Sequence, residues 1–288
     1  MPSELILLLG AFAGLTIYLG LPLAFLKLIH PSLKVFLNML ATGILLFLLF
    51  DVVSKASEPI TAALGQVRTQ HLGIGIFSLD VFLLVFGIGL GSVGLVYFQR
   101  AVLERVQRKT ARHALAETNA APSQGGAASL RLGVETGEMS STTLTLLIAT
   151  GIGLHNFSEG LAIGQSAAIG ALQLALVLII GFGLHNMTEG FGIAGPLTGQ
   201  PVSWKFVAFL GLIGGGPTFL GTAVGIIFHS PQVFILFLAL AAGAIIYVVA
   251  ELLGMAKRFK APDIVMWGLL LGFLLGYGTD LLVTFAGA

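Results

Sequence analysis

The sequence contains no cysteine and unusually few charged residues. With no cysteine among its 288 residues, the chain has no disulfide framework, no thiolate metal site and no cysteine nucleophile. Any metal must therefore bind through nitrogen and oxygen ligands. Lysine, arginine, aspartate and glutamate together make up 9% of the chain, whereas roughly 25% is typical of soluble domains. This low charge content excludes an ordinary soluble fold.

Apolar residues dominate instead. The hydrophobic fraction is 56% and the mean hydropathy is +1.00. A chain inside a bilayer must satisfy its own backbone hydrogen bonds, which only helices and closed barrels achieve. The apolar runs are long and continuous rather than alternating, which favours helices. We therefore predict an all-α polytopic membrane protein whose partner is the lipid bilayer, with no nucleic-acid partner.

Eight apolar stretches have the roughly 20 residues that a membrane-spanning helix needs. The predicted spans are Glu4–Leu28, Leu33–Ser54, Ile74–Gln99, Ser141–Ser166, Ala171–Gly195, Ser203–Phe228, Gln232–Met255 and Ile264–Ala286. The first stretch lacks a basic leader and a small-residue cleavage pattern, so it is interpreted as a retained span and not a signal peptide. A kink is expected at Pro22.

The distribution of basic residues predicts the orientation. Twelve of the fourteen lysines and arginines fall on one side of the predicted membrane, and Lys55 and Arg68 fall on the other. Lysine and arginine concentrate in short cytoplasmic loops. The sequence therefore predicts that both termini lie outside.

One long polar segment, residues 100–140, interrupts the apolar pattern. It begins with a mixed-charge helical extension and becomes rich in Ala, Ser, Gly and Asn, a composition that cannot bury a core. We predict a mobile cytoplasmic loop that divides one membrane domain into a three-helix group, residues 1–99, and a five-helix group, residues 141–288.

A duplicated motif occupies spans four and five. Residues 151–160 read GIGLHNFSEG, and residues 181–190, thirty positions later, read GFGLHNMTEG. In each copy His and Glu are four residues apart, so they share one helix face and lie about one turn from each other. Each helix therefore offers an imidazole, a carboxylate and an amide at the middle of the membrane.

The spacing also predicts how the two copies meet. A short link makes the two helices antiparallel, and His155 and Glu189 are equally far from Leu172, as are Glu159 and His185. We therefore expect two level pairs, each with a His from one helix and a Glu from the other. The glycines that flank both motifs allow the helices to approach closely, so that both helices can share one ion.

The residue types indicate a cation site. An ionised group at the bilayer centre costs about 3 kcal/mol or more, whereas a packing contact needs only one hydrogen-bonded pair. His nitrogen and Glu oxygen together suit Zn²⁺, Fe²⁺, Mn²⁺ or Co²⁺. Two ionised Glu and two neutral His carry a charge of minus two, which one divalent cation cancels.

At these residues the sequence resembles the ZIP family of divalent metal transporters, in particular the branch with His-Asn-x-Pro-Glu-Gly in its fourth and fifth helices. The resemblance covers nearly the whole chain. It implies transport of zinc, iron or similar ions, with Mn, Co or Cd as further candidates, towards the cytoplasm, and no enzyme activity. It also implies a metal site formed by His155, Asn156, Glu159, His185, Asn186 and Glu189.

The chain departs from the family pattern in three respects. Ser158 and Thr188 replace the motif's proline, although either hydroxyl can bend a helix by bonding back to a carbonyl. Asn186 stands where some members have an acid, and residues 214–217 offer no carboxylate in span six. We therefore expect one well-charged metal position with at most a weak second one. Pro217 is expected to open the span-six helix and free carbonyls.

Four other membrane acids suggest a pathway. Asp51, Asp80 and Asp280 fall towards the outer ends of spans two, three and eight, and Glu251 falls towards the inner end of span seven. Each alone is compatible with a capping or interhelix contact. Together they predict an acidic outer approach and an inner release step. Asp280 and Glu251 also fit acidic positions that the resemblance implies in the last two helices.

Three other function classes are weighed against a transporter of this kind. An intramembrane zinc-dependent hydrolase would need His and carboxylate ligands and an open water position. Such enzymes usually carry His-Glu-x-x-His, and no residue here is placed as a separate general base. A cation-diffusion exporter has six helices and a folded cytosolic domain, which the sequence does not predict. A metal-sensing or structural membrane subunit stays open.

Two expectations concern the setting of the chain. We predict an integral protein of the cell membrane, either a plasma or an inner membrane. The glycines of span three, Gly87, Gly89, Gly91 and Gly94, allow either a homodimer surface or close packing inside one subunit.

Overall fold

A computed structural model describes residues 2–25, 30–70, 73–118, 140–168, 170, 172–228 and 230–285. Every regular element in these ranges is a helix. The α-helices are α1 (Ser3–Leu15), α2 (Ile17–Gly20), α3 (Pro31–Gln70), α4 (Ile74–Thr118), α5 (Ser141–Ala168), α6 (Leu172–Ala194), α7 (Trp204–Ile227), α8 (Pro231–Ala256) and α9 (Pro262–Phe285). Short 3₁₀ turns cover Leu21–Phe25, Gly195–Leu197 and Lys257–Phe259.

The helices match the predicted membrane spans. Seven helical stretches in the described part of the chain are long and apolar enough to cross a membrane, and the first of them, Ser3–Gly20, combines α1 and α2. Helix α6, with 23 residues, occupies the position of predicted span five and exceeds the roughly 20 residues that a span requires. The all-helical membrane fold is thus confirmed.

The first span breaks earlier than predicted. Helix α1 ends at Leu15, and α2 begins at Ile17. At the junction, the Thr16 hydroxyl donates a hydrogen bond of 2.7 Å to the Ala13 carbonyl, a bond that competes with the regular helix pattern and bends helices. Pro22 lies within the 3₁₀ turn that follows.

Helix α3 continues well past the predicted end of span two at Ser54. It runs for 40 residues to Gln70. Beyond the most apolar window, Val52, Ala56, Ile60 and Ala63 are buried at helical spacing, so one face of the extension packs against the protein. The prediction of the helix end was wrong because hydropathy marks the apolar window and not the end of the helix.

Helix α4 likewise extends beyond its predicted span. It continues from Gln99 to Thr118, and Glu104 and Arg108 form a 3.5 Å ion pair along this extension. The first part of segment 100–140 is therefore helical, as the mixed-charge pattern indicated. The rest of the predicted loop, residues 119–139, lies outside the described residues.

Helix α5 lies at the centre of the bundle and crosses α7 at very short range. Most of its residues are buried. The approach depends on glycine: a Cβ on Gly164 would overlap the Thr222 carbonyl, and a Cβ on Gly221 would overlap the Phe157 carbonyl. This crossing places the motif of α5 against α7 and against α6 on its other side.

Gly164→Ala should therefore destabilise the protein. The new methyl meets backbone atoms, which cannot rotate away, and overpacking of this kind costs about 1–3 kcal/mol. Gly65→Ala is the matched control, because a Cβ there meets no neighbour within 4 Å. In thermal unfolding of the detergent-solubilised chain, Gly164→Ala should lower the midpoint and Gly65→Ala should not. Equal midpoints would contradict the close crossing.

Candidate metal centre

Helices α5 and α6 are antiparallel neighbours joined by a short turn. Gly170 in this turn has φ +83°, a left-handed conformation that glycine adopts without a steric penalty. The turn returns the chain on itself, so that the second motif runs back alongside the first. The sequence prediction of an antiparallel pair is confirmed.

Four side chains of the two motifs meet between these helices. His155 Nε2 lies 3.1 Å from Glu159 Oε1 and 3.7 Å from Glu189 Oε1. His185 Nε2 contacts Glu159 Oε1. Both cross-helix pairs expected from the mirrored spacing are present, and Glu159 contacts both imidazoles. We call these four residues the His/Glu cluster.

The His/Glu cluster is almost fully removed from the surface. The side chains of His155 and Glu189 are each 1% exposed, Glu159 is 3% exposed, and His185 is 12% exposed. Ligand atoms of His155, Glu159 and His185 all lie within 4.8 Å of one another. This compact arrangement of one carboxylate and two imidazoles is suited to holding a divalent cation.

Several buried oxygens in the cluster accept no hydrogen bond from the described residues. They are Oε2 of Glu159 and both carboxylate oxygens of Glu189. Burying a carboxylate oxygen without a partner is costly. These oxygens retain the lone pairs that a cation would need, so the donor set fits a metal ion.

The two motif asparagines are tied to neighbouring helices. Asn156 Nδ2 donates a 2.9 Å hydrogen bond to the Gly214 carbonyl of α7, and Asn186 Nδ2 donates a 3.0 Å bond to the Ala13 carbonyl of α1. The Oδ1 atoms of both are buried without a hydrogen-bond partner among the described residues. The amide nitrogens thus fix the side chains and leave both oxygens as free acceptors.

The residues at the motif's proline position bond back to the helix. Ser158 Oγ donates to the His155 carbonyl at 2.6 Å, and Thr188 Oγ1 donates to the His185 carbonyl at 2.7 Å. Each bond engages the carbonyl of the histidine in the same copy. The hydroxyl back-bonding considered from the sequence is therefore present in both motifs.

Helix α7 does not open at Pro217 as predicted. It is continuous from Trp204 to Ile227 with the proline inside. Because proline has no N–H, the carbonyl four residues earlier, at Ile213, loses its regular helix partner. That carbonyl lies against Gly153, where a Cβ would overlap it, so α7 packs closely against α5 next to the proline.

Two cavities adjoin the cluster on the side of α3. A cavity of about 380 Å³ is lined by the cluster residues His155 and Glu159 and by residues of α3, α5, α6 and α8. A small cavity of about 30 Å³ is lined by His185, Asp51 and Asp280. Two of the four pathway acids therefore lie beside the cluster.

The other two acids lie elsewhere. Asp80 is buried and accepts a 3.1 Å hydrogen bond from Gln232 Nε2, which connects α4 to the start of α8. Glu251 lies part-buried on α8. Neither residue lines the two cavities beside the cluster.

Two charged residues that the sequence patterns did not single out lie near the cluster. Lys55 lines both cavities and Glu58 lines the larger one. Lys55 Nζ lies 2.7 Å from Asp51 Oδ2. The spacing of four residues between Asp51 and Lys55 carried the signal for this pair, but ending span two at Ser54 assigned Lys55 to an outer loop.

Comparison with known proteins addresses the function. The family model described as ZIP zinc transporter matches residues 99–279, and no curated protein matches the chain. This family comprises transporters and not enzymes, so the match gives no support to the hydrolase alternative. Because the matched region covers more than half of the sequence and contains both motifs, the chain belongs to the ZIP zinc transporter family and is an integral membrane transporter of divalent metal ions.

Proposed function

We propose that the His/Glu cluster is the site through which this transporter moves zinc or a similar first-row ion towards the cytoplasm. The observation that carries the proposal is the meeting of two imidazoles and two carboxylates between α5 and α6. His155 Nε2 lies 3.1 Å from Glu159 and 3.7 Å from Glu189, and His185 contacts Glu159. Their combined charge with both Glu ionised and both His neutral is minus two, which matches one divalent cation.

The interatomic distances support a zinc-like ion. Two ligands on one tetrahedral zinc, each with a bond of about 2.1 Å, lie roughly 3.4 Å apart. The distances from His155 Nε2 to the oxygens of Glu159 and Glu189, 3.1 and 3.7 Å, lie on either side of this value. Small side-chain movements therefore suffice to form a first coordination shell.

The asparagines have a secondary role in this proposal. Asn156 and Asn186 hold α5 and α6 to the carbonyls of α7 and α1. Their free Oδ1 atoms add neutral oxygen donors next to the charged cluster. A neutral amide binds a divalent ion more weakly than a carboxylate does, so we assign to them at most a weak second position.

The surrounding acids suggest a route. Asp51 and Asp280 adjoin His185 through the small cavity, and we assign them to the approach from the outside. We assign Glu251, on the predicted inner half of α8, to release. The hydrogen bond between Asp80 and Gln232 supports an interhelix role for Asp80.

The setting in the cell is proposed from the sequence. We propose residence in the cell membrane, with both termini outside. The glycines of α4 divide between two roles: a Cβ on Gly91 would overlap the Leu240 carbonyl of α8, whereas one on Gly89 meets no neighbour within 4 Å. Gly91 therefore serves packing inside the subunit, and the face around Gly89 is the one we assign to a homodimer.

Metal stoichiometry tests the proposed site. Because Asn186 and Gly216 supply no charge for a second position, we expect about one tightly bound Zn²⁺ per chain in a calorimetric titration of the purified protein. Asn186→Asp should strengthen a second binding event. Two sites of equal affinity in the unmodified chain, or no change in the variant, would contradict this assignment.

A further inference from the structure

Lys55 is placed where the two cavities beside the His/Glu cluster adjoin each other. Both cavities are lined by Asp51 and Lys55. One of them contains His185 and Asp280, and the other contains His155 and Glu159. The ammonium group of Lys55 therefore lies between the predicted outer side of the membrane and the cluster.

The position of this lysine is unexpected for a cation pathway. A positive charge repels the transported ion, and charged side chains at membrane depth are costly and are retained mainly where they have a function. Pairs of this kind between partly exposed residues on one helix stabilise a fold only slightly, and the side chains of Lys55 and Asp51 are 38% and 18% exposed. Stabilisation of α3 by this ion pair therefore does little to explain why a lysine occupies position 55.

We propose that Lys55 is a tethered counter-cation that makes the approach selective for divalent over monovalent ions. This inference rests on the proposed function of the His/Glu cluster. The Lys55 ammonium holds the Asp51 carboxylate through their 2.7 Å ion pair. An incoming ion must displace the ammonium before it reaches Asp51, and Lys55 acts as a positioning residue through that carboxylate.

The selectivity follows from charge. A sodium or potassium ion carries the same charge as the ammonium and gains nothing by replacing it, because the ammonium is already in contact and tethered. A divalent ion interacts with the carboxylate about twice as strongly at equal distance and dielectric constant, since the Coulomb energy scales with the product of the charges. The attraction to Asp51 therefore favours displacement of Lys55 by a divalent ion over displacement by a monovalent one.

The test compares three lysine variants in zinc-uptake assays with proteoliposomes that contain the full chain. Lys55→Met removes the charge and keeps an apolar stem, Lys55→Arg keeps the charge, and Lys205→Met is the matched control because Lys205 is exposed at the start of α7. Initial rates are measured against free Zn²⁺, first with choline as the monovalent cation and then with sodium at the same ionic strength.

With choline, Lys55→Met should lower the KM for Zn²⁺ by about two- to fivefold, with little change in kcat. This factor corresponds to the interaction free energy that is typical of partly exposed ion pairs. When sodium replaces choline, the KM of Lys55→Met for Zn²⁺ should rise. The KM values of the unmodified chain, Lys55→Arg and Lys205→Met should change little between the two cations. An unchanged KM and no sodium sensitivity in Lys55→Met would overturn the inference.

Asp51→Asn provides a second measurement if Lys55→Met does not fold. It removes the carboxylate that holds the ammonium and for which the ions compete, so the KM for Zn²⁺ should rise. Lys55→Gln alone should make the KM sensitive to sodium, whereas the Asp51→Asn/Lys55→Gln double variant should not. Equal sodium sensitivity with and without the Asp51 carboxylate would overturn the inference. Failure of the proposed cluster is distinguishable, because it would appear as normal uptake in cluster variants whatever the behaviour of Lys55.

Discussion

Replacing Glu159 or Glu189 with glutamine should abolish most zinc uptake while leaving folded protein in the membrane. Glu159 contacts both imidazoles, and Glu189 is 1% exposed with both oxygens free of hydrogen bonds from the described residues. Each glutamine removes one of the two charges that balance the divalent ion. The expected loss is about a hundredfold or more, because removing one partner of a buried charge pair costs about 3–5 kcal/mol and each 1.4 kcal/mol is about a factor of ten.

Glu4→Gln is the matched control for this prediction. It makes the same chemical change at an exposed position in the first turn of α1, so uptake should stay near that of the unmodified chain. Size-exclusion profiles of all three variants would separate loss of transport from loss of folding. Near-normal uptake by a folded Glu159→Gln or Glu189→Gln protein would show that the two helices do not share one transport site.

The two histidines should differ in their effect on zinc affinity. His155 is 1% exposed and its Nε2 reaches both carboxylates, at 3.1 and 3.7 Å. His185 contacts Glu159 and is 12% exposed, so water can replace its nitrogen more easily. We expect His155→Ala to weaken zinc binding roughly tenfold to a hundredfold, at least as much as the loss of an outer-shell metal partner, and His185→Ala to weaken it less.

Zinc dissociation constants from competition with a chelating dye would measure both effects. His30→Ala is the control, because His30 is exposed just before α3 and lies outside the cluster. Equal losses for the two cluster histidines would indicate a symmetric site. A larger loss for His185→Ala would place the ion nearer the small cavity than the cluster geometry implies.

The duplicated motif made the cluster predictable from the sequence. Helical periodicity places His155 and Glu159 on one face, and the short turn at Gly170 makes α6 antiparallel to α5, so the mirrored spacing fixes which residues meet. Both cross-helix contacts follow from these two facts. The rotation of each helix is further fixed by glycines, which allow α7 to approach α5 at backbone distance.

Other features were not predictable because they depend on tertiary packing. Sequence patterns do not reveal which carbonyls the amides of Asn156 and Asn186 bind, since these carbonyls belong to α7 and α1. Hydropathy did not reveal that α3 continues to Gln70, because burial of one face extends the helix past its apolar window. Lys55 was consequently missed, although it lies one turn from Asp51.

An anomalous-scattering map of crystals grown with Zn²⁺ would show directly whether the His/Glu cluster holds the ion. Comparison of data collected above and below the zinc absorption edge identifies the bound element as zinc. The peak in the map gives the position of the ion. We expect one strong peak per chain between α5 and α6, within bonding distance of His155, Glu159, His185 and Glu189. A fully occupied zinc peak elsewhere in the chain, with none among these four side chains, would contradict it.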